Sequence, residues 1–335
     1  MCTAISYKTK DHYFGRNLDL EYSYNETVTI TPRNFIFEFR KVGKMKSHFA
    51  IIGMAYIAEG YPLYYDATNE KGLSIAALNF PQNAHYKPFC EGKDNITPFE
   101  LIPWVLGQCG TVSEAEKLLE QINILNENFS DEVPLSPLHW IISDKGCSIT
   151  LESVKAGIKV YDNPAGVLTN NPTFDYQLFN LNNYMSLTND APQNTFALDN
   201  NLQLKTYSRG MGAMGLPGDY SSMSRFVRAT FVKMNSVSGD SENESVSQFF
   251  HILQSVAMPR GCVKVGKDSD AITIYSSCCN TDRGIYYYTT YNNSQINAVD
   301  MHKENLNGNT LIAYPLKTQQ AIEYHNYTAC LNRLF

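Results

Sequence analysis

Strands open and close this 335-residue chain, and helices enter between them in pairs. That order constrains the fold more than any other feature. "TAISYKT" and "HYFGRNLD" flank Lys10-Asp11, "ETVTITP" alternates in the β manner, and "HFAIIGMAYI" and "GLSIAALNF" read as buried strands. Two helices follow. Pro98 opens "PFELIPWVLGQC" with Thr97 as its N-cap, and Ser113 caps "SEAEKLLEQINIL" with Glu116 in capping-box position. The polar loop "NENFSDEVPLSP" leads into three short strands, "LHWIISD", "CSITLES" and "GIKVYD". "TFDYQLFNLNNYMSL" is predicted helical and "NDAPQNTFALDNN" a surface loop, ahead of the amphipathic pair "SMSRFVRATFVKMNSV" and "ESVSQFFHILQSVA". "AITIYSS", "GIYYYTTY", "INAVDM" and "TLIAYPL" return to strands, and residues 316–335 form a tail with no clear pattern. A parallel sheet would need βαβα alternation, which is absent. The order predicts an α+β fold of antiparallel sheets covered by helix pairs, with residues 1–335 as one domain.

Charge narrows the function classes. A net charge of −6 with no basic run argues against nucleic acid and anionic membrane surfaces as partners. No apolar run reaches the ~20 residues of a membrane span. Residues 1–20 mix both charge signs and lack an apolar core, so no secretory leader is expected and the cytoplasm is the expected location. The eight cysteines then read as free thiols, and without a CxxC pair no zinc site is expected. Gly210, Gly212 and Gly215 match GxGxxG, but no buried strand precedes them and Pro217 stands where a helix should begin. His139 reads as a packed strand histidine. Neither a cofactor nor a metal is expected.

Cys2 is the feature this framework leaves unexplained. Its side chain is small enough for Met1 to be removed, which would place a thiol and a free α-amine on one residue. An α-amine titrates at about 7.7–8.0, so it can accept a proton near neutral pH. A nucleophile that carries its own base needs no histidine. If Lys10-Asp11 centres the hairpin turn, Cys2 lies opposite Asp19 with both side chains on one face. Arg16 then lies on the other face unless a bulge at Gly15 re-aims it. An arginine beside the thiol would favour the thiolate.

Several long stretches carry a resemblance: "MCTAI", "FGRNLDLEYS", "NEKGLSIAALNFP", "VLTNNPTFDYQLFNLNNY", "GLPGDYSSMSRFVRA", "QFFHIL", "YSSCC" and "GIYYYTTY". In order, they cover nearly all the chain up to about Pro315. The sequence resembles the choloylglycine hydrolases, the N-terminal-nucleophile group of bile salt hydrolases and penicillin V acylases. The resemblance implies a four-layer αββα sandwich (the Ntn-hydrolase fold), usually assembled as a homotetramer, with conjugated bile salts as substrates and no cofactor. It implies Cys2 as nucleophile and Arg16 and Asp19 as supports of the thiol and α-amine. Asn79, through its backbone N–H, and Asn170 would form the oxyanion hole, and Arg225 would steady charge near Cys2. Asn79 also favours bile salts over penicillin V. Family position puts Leu18, Tyr65, Phe129 and Val133 on the substrate pocket, for each of which core packing stands as the alternative. Two other functions stay open: hydrolysis of penicillin V or another acyl amide, and silent binding of amphipathic ligands.

Overall fold

The computed structural model describes residues 1–196 and 201–325. Residues 197–200 of the expected surface loop, and the end of the tail with Cys330, lie outside the described residues.

Two antiparallel sheets form the centre. The six-stranded sheet runs in the order Val167–Leu168, Cys2–Lys8, His12–Leu20, Ile272–Asn280, Ile285–Thr290, Asn293–Asp300. The eight-stranded sheet runs Gly157–Asp162, Ser148–Val154, Leu138–Ser143, Ser74–Asn79, Tyr61–Asn69, Ile51–Ala58, Thr27–Thr31, Ile312–Pro315. Period-two alternation gives the second sheet two apolar faces. Ile52, Met54, Ala76 and Leu78 point into the core shared with Cys2, Ala4, Leu18 and Tyr275 of the first sheet. Ile51, Ala55, Ile75 and Ala77 point outward onto Leu101, Ile102, Val105 and Leu106 of helix Leu101–Gln108. Helices Ser222–Asn235 and Glu242–Gln254 cover the outer face of the first sheet, burying Phe226, Phe249 and Leu253. The layers are therefore helix, sheet, sheet, helix, as expected. No helix among the described residues is long and apolar enough to cross a membrane.

Local differences from the sequence expectations have simple causes. Thr97 caps nothing: the helix begins at Leu101, and the Glu100 carboxylate accepts the Thr97 N–H at 2.9 Å. The second helix is capped by Thr111, not Ser113. Its hydroxyl takes the Glu114 N–H at 3.2 Å, while the Glu114 carboxylate takes the Gly110 N–H at 2.6 Å. Thr111 and Glu114 satisfy the same spacing rule two residues earlier. "INI" leaves that helix to pair, as Ile122–Ile124, with Asp94–Ile96. Strand Tyr61–Asn69 was not expected, because Pro62 and a bulge break its alternation. The bulge lies where Met54 pairs with Asp66 but Ala55 with Tyr64, leaving Tyr65 as the extra residue.

Candidate active site

The hairpin that carries Cys2 is one residue out of the expected register. Its loop spans residues 9–11, with the Thr9 N–H donating to the Asp11 carbonyl at 3.0 Å, so Lys8 pairs with His12 and Cys2 with Leu18. A one-residue slip exchanges the faces of every side chain. Arg16, opposite Ala4, therefore shares the inter-sheet face with Cys2, and no bulge is needed. The expectation that Asp19 faces Cys2 across the ladder is overturned. Asp19 instead exchanges backbone bonds with Met1: its N–H donates to the Met1 carbonyl at 2.9 Å, and the Met1 ammonium donates to the Asp19 carbonyl at 2.5 Å. Gly15 has a different role. A Cβ there would lie 2.0 Å from the Ser277 carbonyl oxygen, so only glycine lets the neighbouring strand approach.

Cys2 is buried at 2% exposure and is a free thiol. Its backbone N–H, which would be the α-amine of a chain lacking Met1, donates to Asn170 Oδ1 at 2.9 Å. Arg225 Nη2 donates to the same oxygen at 2.7 Å, and Arg225 Nη1 donates to the Cys2 carbonyl and to Thr3 Oγ1. Arg225 comes from the first turn of helix Ser222–Asn235, and the Asn170 N–H donates to Ser222 Oγ at 2.8 Å. Helix and asparagine are thus tied together. Burial pulls the Arg225 guanidinium below its ordinary value, against Asp19 and Cys2, which support its charge.

Arg16 is fully buried. Nη1 donates to the Tyr65 carbonyl at 3.1 Å and to the Ala77 carbonyl. These two acceptors are free because the ladder between Tyr61–Asn69 and Ser74–Asn79 stops at Asp66–Ala76, beside the bulge. Burial works against the Arg16 charge. Cys2, then Tyr275, Asp66 and Asp19, outweigh it and hold the guanidinium above its ordinary value. Nη2 has no partner.

Asp19 is also fully buried. Its Oδ1 accepts from Thr273 Oγ1 at 2.6 Å, and Oδ2 has no partner among the described residues. Burial raises this carboxyl above the usual range, opposed by Arg225, the N-terminal ammonium, Thr273 and Arg16.

Asn79 ends its strand opposite Leu138. The Phe80 N–H donates to the Pro137 carbonyl at 2.7 Å, so Phe80 holds the hydrogen-bonded slot. The N–H and C=O of Asn79 must then both point away from that neighbour. The carbonyl accepts Asn170 Nδ2 at 2.7 Å. The Asn79 N–H and the Asn170 amide are thereby brought to one side of the strand.

The pocket-wall expectations divide. Leu18 is the ladder partner of Cys2, and Tyr65 lends its carbonyl to Arg16. Phe129 and Val133 sit in the loop of residues 126–137 and make their contacts elsewhere. Phe129 packs on Phe99 and Tyr61 at ring distances of 5.1 and 5.9 Å, and Val133 closes a turn on Ser130. His139 is a packed histidine as expected: it stacks on Phe80 and its Nε2 bonds the Thr169 carbonyl, beside Asn170. The residues missed from sequence are Thr273 and Ser222, which hold Asp19 and Asn170. Thr273 is one more alternating residue of the strand "AITIYSS", and Ser222 one of the serines of "SSMS", so nothing in the sequence singles either out.

The two sheets between helix layers define an N-terminal-nucleophile hydrolase fold. The family model "Linear amide C-N hydrolases, choloylglycine hydrolase family" matches residues 2–314, and the chain belongs to that family. It is therefore an amide hydrolase. It is 59% identical over 319 residues to the bile salt hydrolase/transferase of Lactiplantibacillus plantarum, covering 95% of this chain and 98% of that one. It is 42% identical to the bile salt hydrolase/transferase of Clostridium perfringens, over 97% of this chain and 100% of that one. A solved structure, the mutant C2A conjugated bile acid hydrolase from Clostridium perfringens, superposes with a TM-score of 0.89 at 40% identity, covering 97% of this chain and 100% of that chain.

Proposed function

We propose that the enzyme cleaves the amide of glycine- or taurine-conjugated bile salts, with Cys2 as nucleophile once Met1 is removed. The observation that carries this reading is a pair of fully buried, unpartnered polar atoms, Arg16 Nη2 and Asp19 Oδ2. Orphaned buried donors and acceptors are costly, and they suit groups formed or bound in the reaction. A Cys2 thiolate and a Cys2 α-ammonium supply the acceptor and the donor that these atoms lack.

In the first step, the thiolate sulfur attacks the amide carbonyl carbon. The oxyanion is held by the Asn79 N–H and the second hydrogen of Asn170 Nδ2. One such donor typically contributes about 3–4 kcal/mol to lowering the barrier. The C–N bond breaks as the α-ammonium protonates the leaving nitrogen, releasing glycine or taurine. Water, deprotonated by the α-amine, then attacks the thioester, and the bile acid and thiolate depart. Arg225 steadies the Cys2 carbonyl and Asn170. No cofactor enters any step.

The names of the relatives support conjugated bile salts as substrates. Leu18, Tyr65, Phe129 and Val133 are proposed to wall the steroid site, with the loop of residues 126–137 as its cover. The chain is proposed to act as one domain in the cytoplasm. A homotetramer is supported by large apolar side chains left bare on the surface: Phe179, Met185, Phe196 and Tyr207 are each more than 70% exposed.

The test is release of glycine and taurine from conjugated bile salts against phenoxyacetate release from penicillin V, at equal enzyme. Faster turnover of bile salts is expected. Preference for penicillin V would replace the substrate, and neither activity would indicate a silent amphipath binder.

A further inference from the structure

Asp66 is a buried carboxylate that the proposed chemistry does not touch. It is 2% exposed, in the middle of strand Tyr61–Asn69, and faces the space between the sheets. Three hydroxyls of the opposite sheet converge on it. Tyr275 donates to Oδ1 at 2.7 Å, and Tyr286 and Ser277 donate to Oδ2 at 2.6 and 3.1 Å. Burial pushes this carboxyl up, and Arg16 is the strongest influence against that rise, ahead of the hydroxyls. Yet among the described residues no Arg or Lys nitrogen lies within ion-pair distance of it.

Asp66 and Arg16 are instead joined through the backbone. The Arg16 N–H donates to Ser277 Oγ at 3.1 Å, and that hydroxyl donates to Asp66. The two carbonyls that hold the guanidinium belong to Tyr65, the residue before Asp66, and to Ala77, the residue after its ladder partner Ala76. The bulge at Tyr65 opens this cradle, and Asp66 pins the bulge to the other sheet.

We infer that Asp66 is a positioning residue for Arg16: it fixes the cradle of the guanidinium and balances its charge from a distance, leaving Nη2 free for the Cys2 end of the site. The inference rests on the reading of Cys2 as nucleophile. Near that end the buried Arg and Asp side chains are Arg16, Arg225, Asp19 and Asp66, two of each kind. The other titratable groups around Asp66 are Tyr65 on its own strand, Tyr275 and Cys279 on Ile272–Asn280, and Tyr286 on Ile285–Thr290. Burial raises all four, Cys279 to about 12, so they stay neutral near pH 7.

The sign of the effect follows. The first proton lost from the Cys2 thiol–ammonium pair removes one positive charge, whichever atom gives it up. Removing the Asp66 charge makes the surroundings more positive and favours that loss. Asp66→Asn keeps the shape and can still pair with the tyrosine hydroxyls. It is expected to move the acid limb of the kcat/KM profile down by about 0.5–1 pH unit. The pH dependence of iodoacetamide inactivation should move the same way. Lower activity or stability with both profiles unmoved would reduce Asp66 to a structural link and overturn the inference.

If Asp66→Asn does not fold, Ser277→Ala carries the test by cutting the link while keeping the charge. It should lower kcat about threefold to tenfold at constant KM, since small misplacements of an active-site group are costly. Wild-type kcat in that variant would overturn the inference. Wild-type enzyme that stayed active after carbamidomethylation of Cys2 by iodoacetamide would instead defeat the nucleophile reading on which the inference stands.

Discussion

The N-terminal hairpin has a polar cluster buried at each end, and the two clusters are built on opposite rules. At the turn end, Ser6 Oγ lies 2.9 Å from His12 Nε2, His12 Nδ1 lies 2.9 Å from Thr281 Oγ1, and Ser143 Oγ bridges Ser6 and Ser148. Burial pushes His12 down to about 4, so the imidazole is neutral near pH 7. Every side chain of this network has a partner and none is ionised. At the Cys2 end, two arginines and two carboxyl side chains are buried, and Arg16 Nη2 and Asp19 Oδ2 are left without partners among the described residues. A satisfied neutral network rigidifies a fold, whereas an unsatisfied ionic one is costly unless another group completes it. The difference marks which end does chemistry.

Breaking the charged end should give the largest effect. Asn170→Ala removes an oxyanion donor and the acceptor shared by Cys2 and Arg225. It should lower kcat by roughly 10²–10³-fold, read by steady-state kinetics, and should also lower the unfolding midpoint, read by thermal denaturation, because Arg225 loses a buried acceptor. A loss under tenfold would remove Asn170 from the oxyanion hole.

The neutral end should respond in stability and not in rate. His12 titrates near 6.5 when unfolded and at about 4 when folded, so the unfolded chain binds the extra proton between those values. The stabilisation is complete above pH 6.5 and is lost as pH falls toward 4, by roughly 3 kcal/mol for this one group. Urea unfolding at pH 7 and pH 4 should show His12→Gln losing less stability on acidification than the parent by about that amount. Its kcat at pH 7 should match the parent's. An identical acid slope in both proteins would show that His12 is not held neutral.

The same hairpin shows how far the sequence could be read. The order of strands and helix pairs was enough for the layers, because period-two and period-3.6 patterns survive in most elements. Register was not legible. Lys10-Asp11 carries none of the glycine or asparagine that would specify a two-residue turn, and one extra loop residue moved Arg16 onto the face of Cys2 and Asp19 off it. Cys2, Arg16, Asp19, Asn79, Asn170 and Arg225 could be named from the family resemblance, and they do gather at one end of the hairpin. Asp66 could not, because a carboxylate in "YYDAT" resembles any strand residue until the bulge and three hydroxyls of the other sheet are seen around it.

The central claim is that Cys2 acts only after Met1 leaves. Intact mass of the purified protein, read beside its specific activity on a conjugated bile salt, tests it most directly. The account predicts a mass lacking Met1, with activity proportional to the Met1-free fraction across preparations. Full activity in protein that retains Met1 would contradict it.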